Sequence, residues 1–128
     1  MLRLARERGE VRVVHDQLCT PTSTADLAGA VGRLIQTGAY GTYHVTNAGE
    51  CSWYELAGEI FRIAREIGLL DREVTVRPIP SSQFPAKARR PAYSVLSCDK
   101  YTGLGLSPMR PWKEALAAYL EALAQAAC

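Results

Sequence analysis

The sequence lacks several features that would place it at a membrane or on a nucleic acid. No apolar run approaches the roughly 20 residues that cross a bilayer, and the leucines of the first eight residues alternate with charges, unlike a secretory signal. Charge of one sign is also scarce, because 15 basic and 13 acidic residues leave a formal net charge of +2. A nucleic-acid or anionic-membrane partner would require a clustered basic face. We therefore expect a cytoplasmic protein with neither partner.

Close cysteine pairs are missing as well. The four cysteines are Cys19, Cys51, Cys98 and Cys128, and no two lie within a few residues of each other. Zinc sites and redox motifs usually need such close spacing. A disulfide framework is not expected in a chain of this length without a secretory signal. We predict four plain thiols and no metal site.

The common catalytic signatures are also absent. None of the ten glycines falls into a G-x-G-x-x-G turn, which lets backbone amides approach the pyrophosphate of a dinucleotide. No G-x-S-x-G serine elbow is present. Asp16 and Asp26 are candidate carboxylate partners, but turn formation and helix capping explain them better. The residues alone therefore predict no catalytic residue and no cofactor site in this chain.

Helix-start signals and apolar spacing predict four helices. Ser52 and Glu55 form a capping box, in which each side chain satisfies a free amide at the helix start. Ser23 and Asp26 resemble the same arrangement. The predicted helices cover residues 1–8, 23–37 and 52–67, with a last one opened by Pro111. Their predicted inward residues include Leu27, Val31, Leu34 and Ile35, then Leu56, Ile60, Ile63 and Ile67, and finally Trp112, Leu116, Tyr119, Leu120 and Leu123.

Short β-branched runs between these helices predict strands. They cover Val11–His15, Thr42–Thr46 and Val74–Ile79, and Tyr93–Ser97 is predicted to be extended. The proline-rich segment Pro80–Pro91 is predicted to be a long loop, a place where binding residues often lie. The alternation indicates an α/β fold, a small domain of helices and short strands. At 128 residues the chain has the size of one domain, too short for a dinucleotide fold with a separate substrate domain.

Five segments in order resemble the dTDP-4-dehydrorhamnose reductases. The first is a strand ending in Asp-Gln, followed by Pro-Thr and a helix with Ala-Asp-Leu-Ala. The others resemble the family's Gly-x-Tyr-His strand, its Ser-Trp-Tyr helix, its Pro-Ala…Arg-Pro-x-Tyr-Ser-x-Leu segment and its closing Pro-Trp pair. In this chain they lie at residues 15–28, 41–45, 52–61, 85–96 and 111–116.

The resemblance implies a role in a reductase. That family belongs to the extended short-chain dehydrogenase/reductases and reduces a 4-keto sugar on thymidine diphosphate, in dTDP-rhamnose biosynthesis. It uses NADPH or NADH, and a tyrosine supplies the proton. Its glycine-rich loop and Tyr-x-x-x-Lys pair lie upstream of the matched region, and none of the six tyrosines here is followed four residues later by lysine. We therefore expect residues 1–128 to be a single C-terminal-type, substrate-binding domain. The NAD(P)-binding Rossmann half is expected to be absent, so the chain is not expected to be catalytically competent alone.

The resemblance also implies substrate-binding residues. In related enzymes an arginine of the Arg-Pro segment reaches the substrate diphosphate, which points to Arg90, with Arg89 as its neighbour. Gln17 and Thr22 lie where the family's Asp-Gln…Pro-Thr segment borders the sugar nucleotide. The alternative for the arginines is a solvated basic loop, and for Thr22 it is turn formation.

Three further positions bear on this site. Trp53 and Tyr54 match the family's Ser-Trp-Tyr helix, and packing at the helix start is expected of them rather than stacking on a base. Cys19 stands where family members usually have glycine. If that position requires a positive φ, cysteine adds a steric cost.

The resemblance leaves a second class of function open. The same domain could be a non-catalytic interaction or regulatory module, as in the related regulatory subunits of methionine adenosyltransferase. In the full-length family the strand matched by Tyr43-His44-Val45 joins the edge of the large nucleotide-binding sheet. Without that sheet its amides and carbonyls lack partners. We expect the chain to pair with a missing Rossmann half, to self-associate or to be poorly stable.

Overall fold

A computed structural model describes residues 1–85, 88 and 90–126 and confirms the mixed α/β fold. Helices and short strands alternate along the chain. They are α1 (Leu2–Glu7), β1 (Glu10–Val14), β2 (Leu18–Cys19), α2 (Thr24–Gln36), β3 (Cys51–Ser52), α3 (Trp53–Glu66), β4 (Thr75–Ile79), a 3-10 turn (Ser81–Gln83), α4 (Asp99–Thr102) and α5 (Trp112–Ala126). Helix α4 was not predicted from the sequence.

The strands form two small sheets. β1 and β4 pair in parallel, with Glu10 opposite Thr75 and Val14 opposite Ile79. β2 and β3 pair antiparallel. The main core lies between the parallel pair and α3, because alternate residues of β1 face the apolar side of that helix. Its buried members are Ala5, Val11, Val13, Ala57, Phe61, Ala64 and Leu70.

The predicted helix starts are confirmed in atomic detail. The hydroxyl oxygen of Ser52 accepts from the Glu55 amide at 3.1 Å, and the Glu55 carboxylate accepts from the Ser52 amide at 2.7 Å. Helix α3 ends before Gly68, whose φ of 76° is the left-handed conformation that glycine adopts without cost. At α2 the Ser23 hydroxyl accepts from the Asp26 amide at 3.4 Å. Each of these signals lies within three residues along the chain.

The predicted inward faces are partly wrong. On α2, Val31 is 42% exposed and Ile35 is 74% exposed, and the buried residue is Ala30. On α5, Tyr119 and Leu123 are exposed, whereas Leu120 is buried. Helical spacing identified an apolar stripe on each helix. Which residues of that stripe are buried depends on the parts of the chain that pack against the helix. The apolar surface of α2 is therefore left largely uncovered within the described residues.

The prediction of a strand at Thr42–Thr46 is wrong for this structure. The segment belongs to no strand ladder among the described residues. A strand is defined by its hydrogen bonds to a neighbour, and no neighbouring strand is supplied here. Just after the segment, Ala48 makes an isolated bridge to Pro111.

Three absences hold for the described part of the chain. None of its helices is long and apolar enough to span a membrane. No group of three or more His, Cys, Asp or Glu residues is placed to hold a metal ion. Cys19, Cys51 and Cys98 are free thiols, and Cys128 lies outside the described residues.

Candidate functional site

An open cleft of about 910 Å³ runs along β1 and past its carboxyl end. Its walls come from the N-terminal part of α1, from β1 and the residues after it, from the start of α3, and from the 3-10 turn and the loop that follows it. The carboxyl end of a parallel strand is a common place for a ligand site, because the chain there leaves the sheet and exposes polar side chains. The cleft is therefore the place where the predicted site residues should meet.

Two of the four predicted binding residues line this cleft together. They are Gln17, which is half-buried, and Arg90, which is exposed. No described residue accepts a hydrogen bond from the Arg90 guanidinium or forms an ion pair with it. Arg90 is thus exposed at the cleft with no bond from its guanidinium to another described residue. This is the arrangement that an arginine needs to receive a phosphate group.

The other two predicted residues are not in the cleft. Thr22 does not line it, and the Thr22 hydroxyl donates to the Thr20 carbonyl oxygen at 3.3 Å, a contact typical of a turn. Arg89 lies outside the described residues, so its predicted role stays a prediction.

The charged residues near the cleft are held by local hydrogen bonds. The Arg12 guanidinium donates to the Gln83 side-chain oxygen at 3.0 Å. The Asp16 carboxylate accepts from the Ser81 amide at 2.9 Å and from the Ser81 hydroxyl at 2.9 Å. The hydrogen bond from the Ser81 backbone amide lowers the pKa of Asp16 and outweighs the opposing effect of burial, and the hydrogen bond from the Ser81 hydroxyl lowers that pKa further. Asp16 thus caps the start of the 3-10 turn at Ser81, 65 positions away in the sequence, and the local turn expected of it is not what these bonds form.

Two aromatic side chains complete the cleft. Trp53, expected to pack at the helix start, is 36% exposed and lines the cleft, whereas Tyr54 packs against the main core as expected. Phe84 is 55% exposed and lines the cleft from the loop that follows the 3-10 turn. Neither Phe84 nor Arg12 was singled out from the sequence. Their spacing carries no signal, because only the fold places Phe84 in the same cleft as Arg12 of β1.

Comparison with protein-family models identifies one match. The model described as "RmlD substrate binding domain" matches residues 1–125. Among curated relatives, a probable dTDP-4,6-dihydroxy-2-methyloxan-3-one 4-ketoreductase of Streptomyces antibioticus is 45% identical over 120 residues, covering 91% of this chain and 38% of that protein. The dTDP-4-dehydrorhamnose reductase of Mycolicibacterium smegmatis is 41% identical over 117 residues, covering 91% of this chain and 34% of the relative.

Solved structures agree with the sequence comparison. The dTDP-4-dehydrorhamnose reductase of Bacillus anthracis, solved in complex with NADP, has a TM-score of 0.87 and 40% identity, covering 94% of this chain and 41% of the other. The Clostridium acetobutylicum reductase has a TM-score of 0.85 and 43% identity, with coverage of 95% and 41%. The chain thus spans 34–41% of the length of these four relatives.

Proposed function

The chain belongs to the RmlD substrate-binding domain family, and from this we propose that its cleft binds the thymidine diphosphate sugar of a dTDP-4-dehydrorhamnose-type reductase. The observation that carries the proposal is the meeting of Gln17 and Arg90 in one cleft. These residues are 73 positions apart in the numbering, and only the fold unites them. The exposed indole of Trp53 lies in the same cleft.

Each of these side chains suits one part of a sugar nucleotide. The Arg90 guanidinium offers a planar fork of donors that can pair with two phosphate oxygens at once. The Gln17 amide both donates and accepts, as a sugar hydroxyl requires. The flat apolar faces of Trp53 and Phe84 suit a base or the apolar face of a sugar ring. Thr22 lies outside the cleft, and no contact is proposed for it.

We assign the hydride-transfer chemistry to residues outside this chain. Its sequence contains neither a G-x-G-x-x-G turn nor a Tyr-x-x-x-Lys pair, so its own residues do not fit a nicotinamide dinucleotide. We propose that residues 1–128 act as one substrate-binding domain that is not competent alone. It would hold the sugar for reduction by NADPH bound to a Rossmann half, in cytoplasmic dTDP-rhamnose biosynthesis.

Calorimetric titration with dTDP-rhamnose tests the proposal. We expect Arg90→Ala to weaken binding about 10- to 100-fold, since a charge-assisted hydrogen bond contributes roughly 1.5–3 kcal/mol. The matched control is Arg65→Ala, on the exposed side of α3, where the arginine is 3.6 Å from Glu73 and outside the cleft. That variant should bind as the parent does.

Two results would count against the proposal. One is no heat of binding from a parent chain whose circular dichroism shows it to be folded. The other is equal affinity of the parent and Arg90→Ala, which would mean that the guanidinium does not contact the diphosphate. Titration with thymidine separates the contributions further, because a ligand without phosphate should bind both proteins alike.

The exposed apolar surface supports a second candidate, an interaction module. Val31 and Ile35 on α2 and the 98% exposed Tyr40 lie close in sequence to residues 42–46, which join no strand ladder among the described residues. Exposed backbone and apolar side chains together favour pairing with another chain. We propose that, in the isolated protein, the partner is a second copy of the same chain.

Sedimentation velocity tests the self-association. We expect the parent to sediment above the mass of a 14.0 kDa monomer, increasingly so at higher concentration. Ile35→Lys should shift the distribution towards monomer, because a charge would be buried at the contact. Tyr119→Lys, a control at a 59% exposed position on α5, should not. A monodisperse and thermally robust parent monomer would contradict this candidate.

A further inference from the structure

Two cysteines that are far apart in sequence face each other in the structure. Cys19 in β2 is the ladder partner of Cys51 in β3. Directly opposed residues of antiparallel strands have Cα atoms about 4.5–5.5 Å apart and side chains on the same face. That range lies inside the roughly 4.4–6.8 Å that a disulfide spans. Both thiols are free, so the pair has the backbone placement of a disulfide but is reduced.

The two thiols differ in access to solvent. Cys51 is 3% exposed, whereas Cys19 is half-buried. Burial, and after it the neighbouring Cys19 thiol, raises the pKa of Cys51 to about 12. Burial also raises the pKa of Cys19. The thiolate is the reactive form, so the pair reacts slowly at neutral pH, and Cys19 is the thiol that a reagent meets first.

We propose that Cys19 and Cys51 are a redox-convertible dithiol, oxidised to a disulfide that clamps β2 to β3 by exchange with a low-molecular-weight disulfide such as oxidised glutathione. This inference does not depend on what the cleft binds.

The exchange balances in two steps. The Cys19 thiolate attacks one sulfur of oxidised glutathione, whose S–S bond breaks, and one glutathione thiolate leaves. The Cys51 thiol then loses its proton and attacks the Cys19 sulfur, so that the second glutathione thiolate leaves. The two protein thiols are oxidised to one disulfide. One glutathione disulfide is reduced to two thiols, which take up the two protons.

The clamp lies beside the candidate site. Gln17 is two residues before Cys19, and Trp53 is two residues after Cys51, and both line the cleft. A covalent bond between the strands would fix the spacing of the backbone that carries these two walls. It would also close the loop from residue 19 to residue 51, which restricts the unfolded chain and raises Tm by about 5–15 °C.

Disulfide mapping of the full-length chain with Cys98→Ser and Cys128→Ser tests this inference. The protein is held with oxidised glutathione at about pH 8.5, near the ordinary pKa of a thiol, and then digested without reduction. We expect a peptide linked through Cys19 and Cys51, loss of both free thiols, and a higher Tm that dithiothreitol reverses. Adding Cys19→Ser or Cys51→Ser should abolish the linked peptide and the rise in Tm.

Three outcomes would overturn it. The first is a stable glutathione adduct on Cys19 with Cys51 still reduced, which would show that the second step does not occur. The second is a folded chain whose two thiols stay unmodified while the urea-unfolded chain reacts fully. The third is a linked protein with a lower Tm than the reduced form, because a strained cross-link cannot act as a clamp.

Discussion

Asn47→Ala is expected to destabilise the chain by about 3–5 kcal/mol, because it removes three hydrogen bonds from a buried position. Asn47 is 1% exposed. Its side-chain oxygen accepts from the Ser23 amide at 2.8 Å, and its amide donates to Asp26 at 2.8 Å and to the Arg110 carbonyl oxygen at 3.0 Å. Alanine would leave the Ser23 amide without this acceptor, and a buried polar group left unpaired costs about 1–3 kcal/mol. Asp26 would keep its bonds to Arg110, and the Arg110 carbonyl oxygen would keep its bond from the Ala48 amide, but each would lose the bond from Asn47.

The effect should be large because Asn47 joins three distant parts of the chain. Ser23 caps α2, and Arg110 lies just before α5. The Arg110 guanidinium also binds both carboxylate oxygens of Asp26, each at 2.8 Å. The hydrogen bonds from Arg110 and then from Asn47 lower the pKa of Asp26. Removing the Asn47 side chain therefore weakens the whole junction between α2 and α5 and does not merely remove a single contact.

Urea unfolding followed by circular dichroism measures the loss. Gln36→Ala, at an exposed position at the end of α2, is the matched control, and it should change stability by less than about 0.5 kcal/mol. If Asn47→Ala cost less than about 1 kcal/mol, the three bonds would be replaced by others. The junction would then not depend on this side chain.

The sequence predicted those elements whose determinants are local. The starts of α2 and α3 depend on Ser23 and Ser52 and on a residue three positions later, and both appear as expected. β1 and β4 were also found, because their runs of β-branched residues are short and clearly bounded. Their parallel pairing was not predicted, since the register joins residues about 65 positions apart.

Features that depend on distant neighbours were beyond local pattern. The segment at residues 42–46 has strand composition, but no described strand lies beside it. Tyr119 falls on a helical apolar stripe yet is 59% exposed. In the cleft, Gln17 and Arg90 came from a family resemblance. Trp53 was expected to pack, because sequence alone does not show how much of a helix-start residue the fold covers.

Gly49→Ala is the second substitution expected to have a large effect, with a loss of about 2–5 kcal/mol. Gly49 has φ of 86°, a conformation that costs other L-residues roughly 1–2 kcal/mol. A Cβ atom there would lie 3.2 Å from Cδ1 of Trp112. The Trp112 side chain is 6% exposed, so its ring has little room to move. Overpacking of this kind adds about 1–3 kcal/mol.

Gly68→Ala separates the two causes. Gly68 has a similar φ of 76°, but a Cβ atom there would meet nothing within 4 Å. Its alanine variant should therefore carry the backbone cost alone, roughly 1–2 kcal/mol. The difference between the two variants in urea unfolding measures the contact with Trp112. Equal losses at both positions would show that the indole ring yields to the added methyl group, and that the start of α5 is more loosely packed than the burial of Trp112 implies.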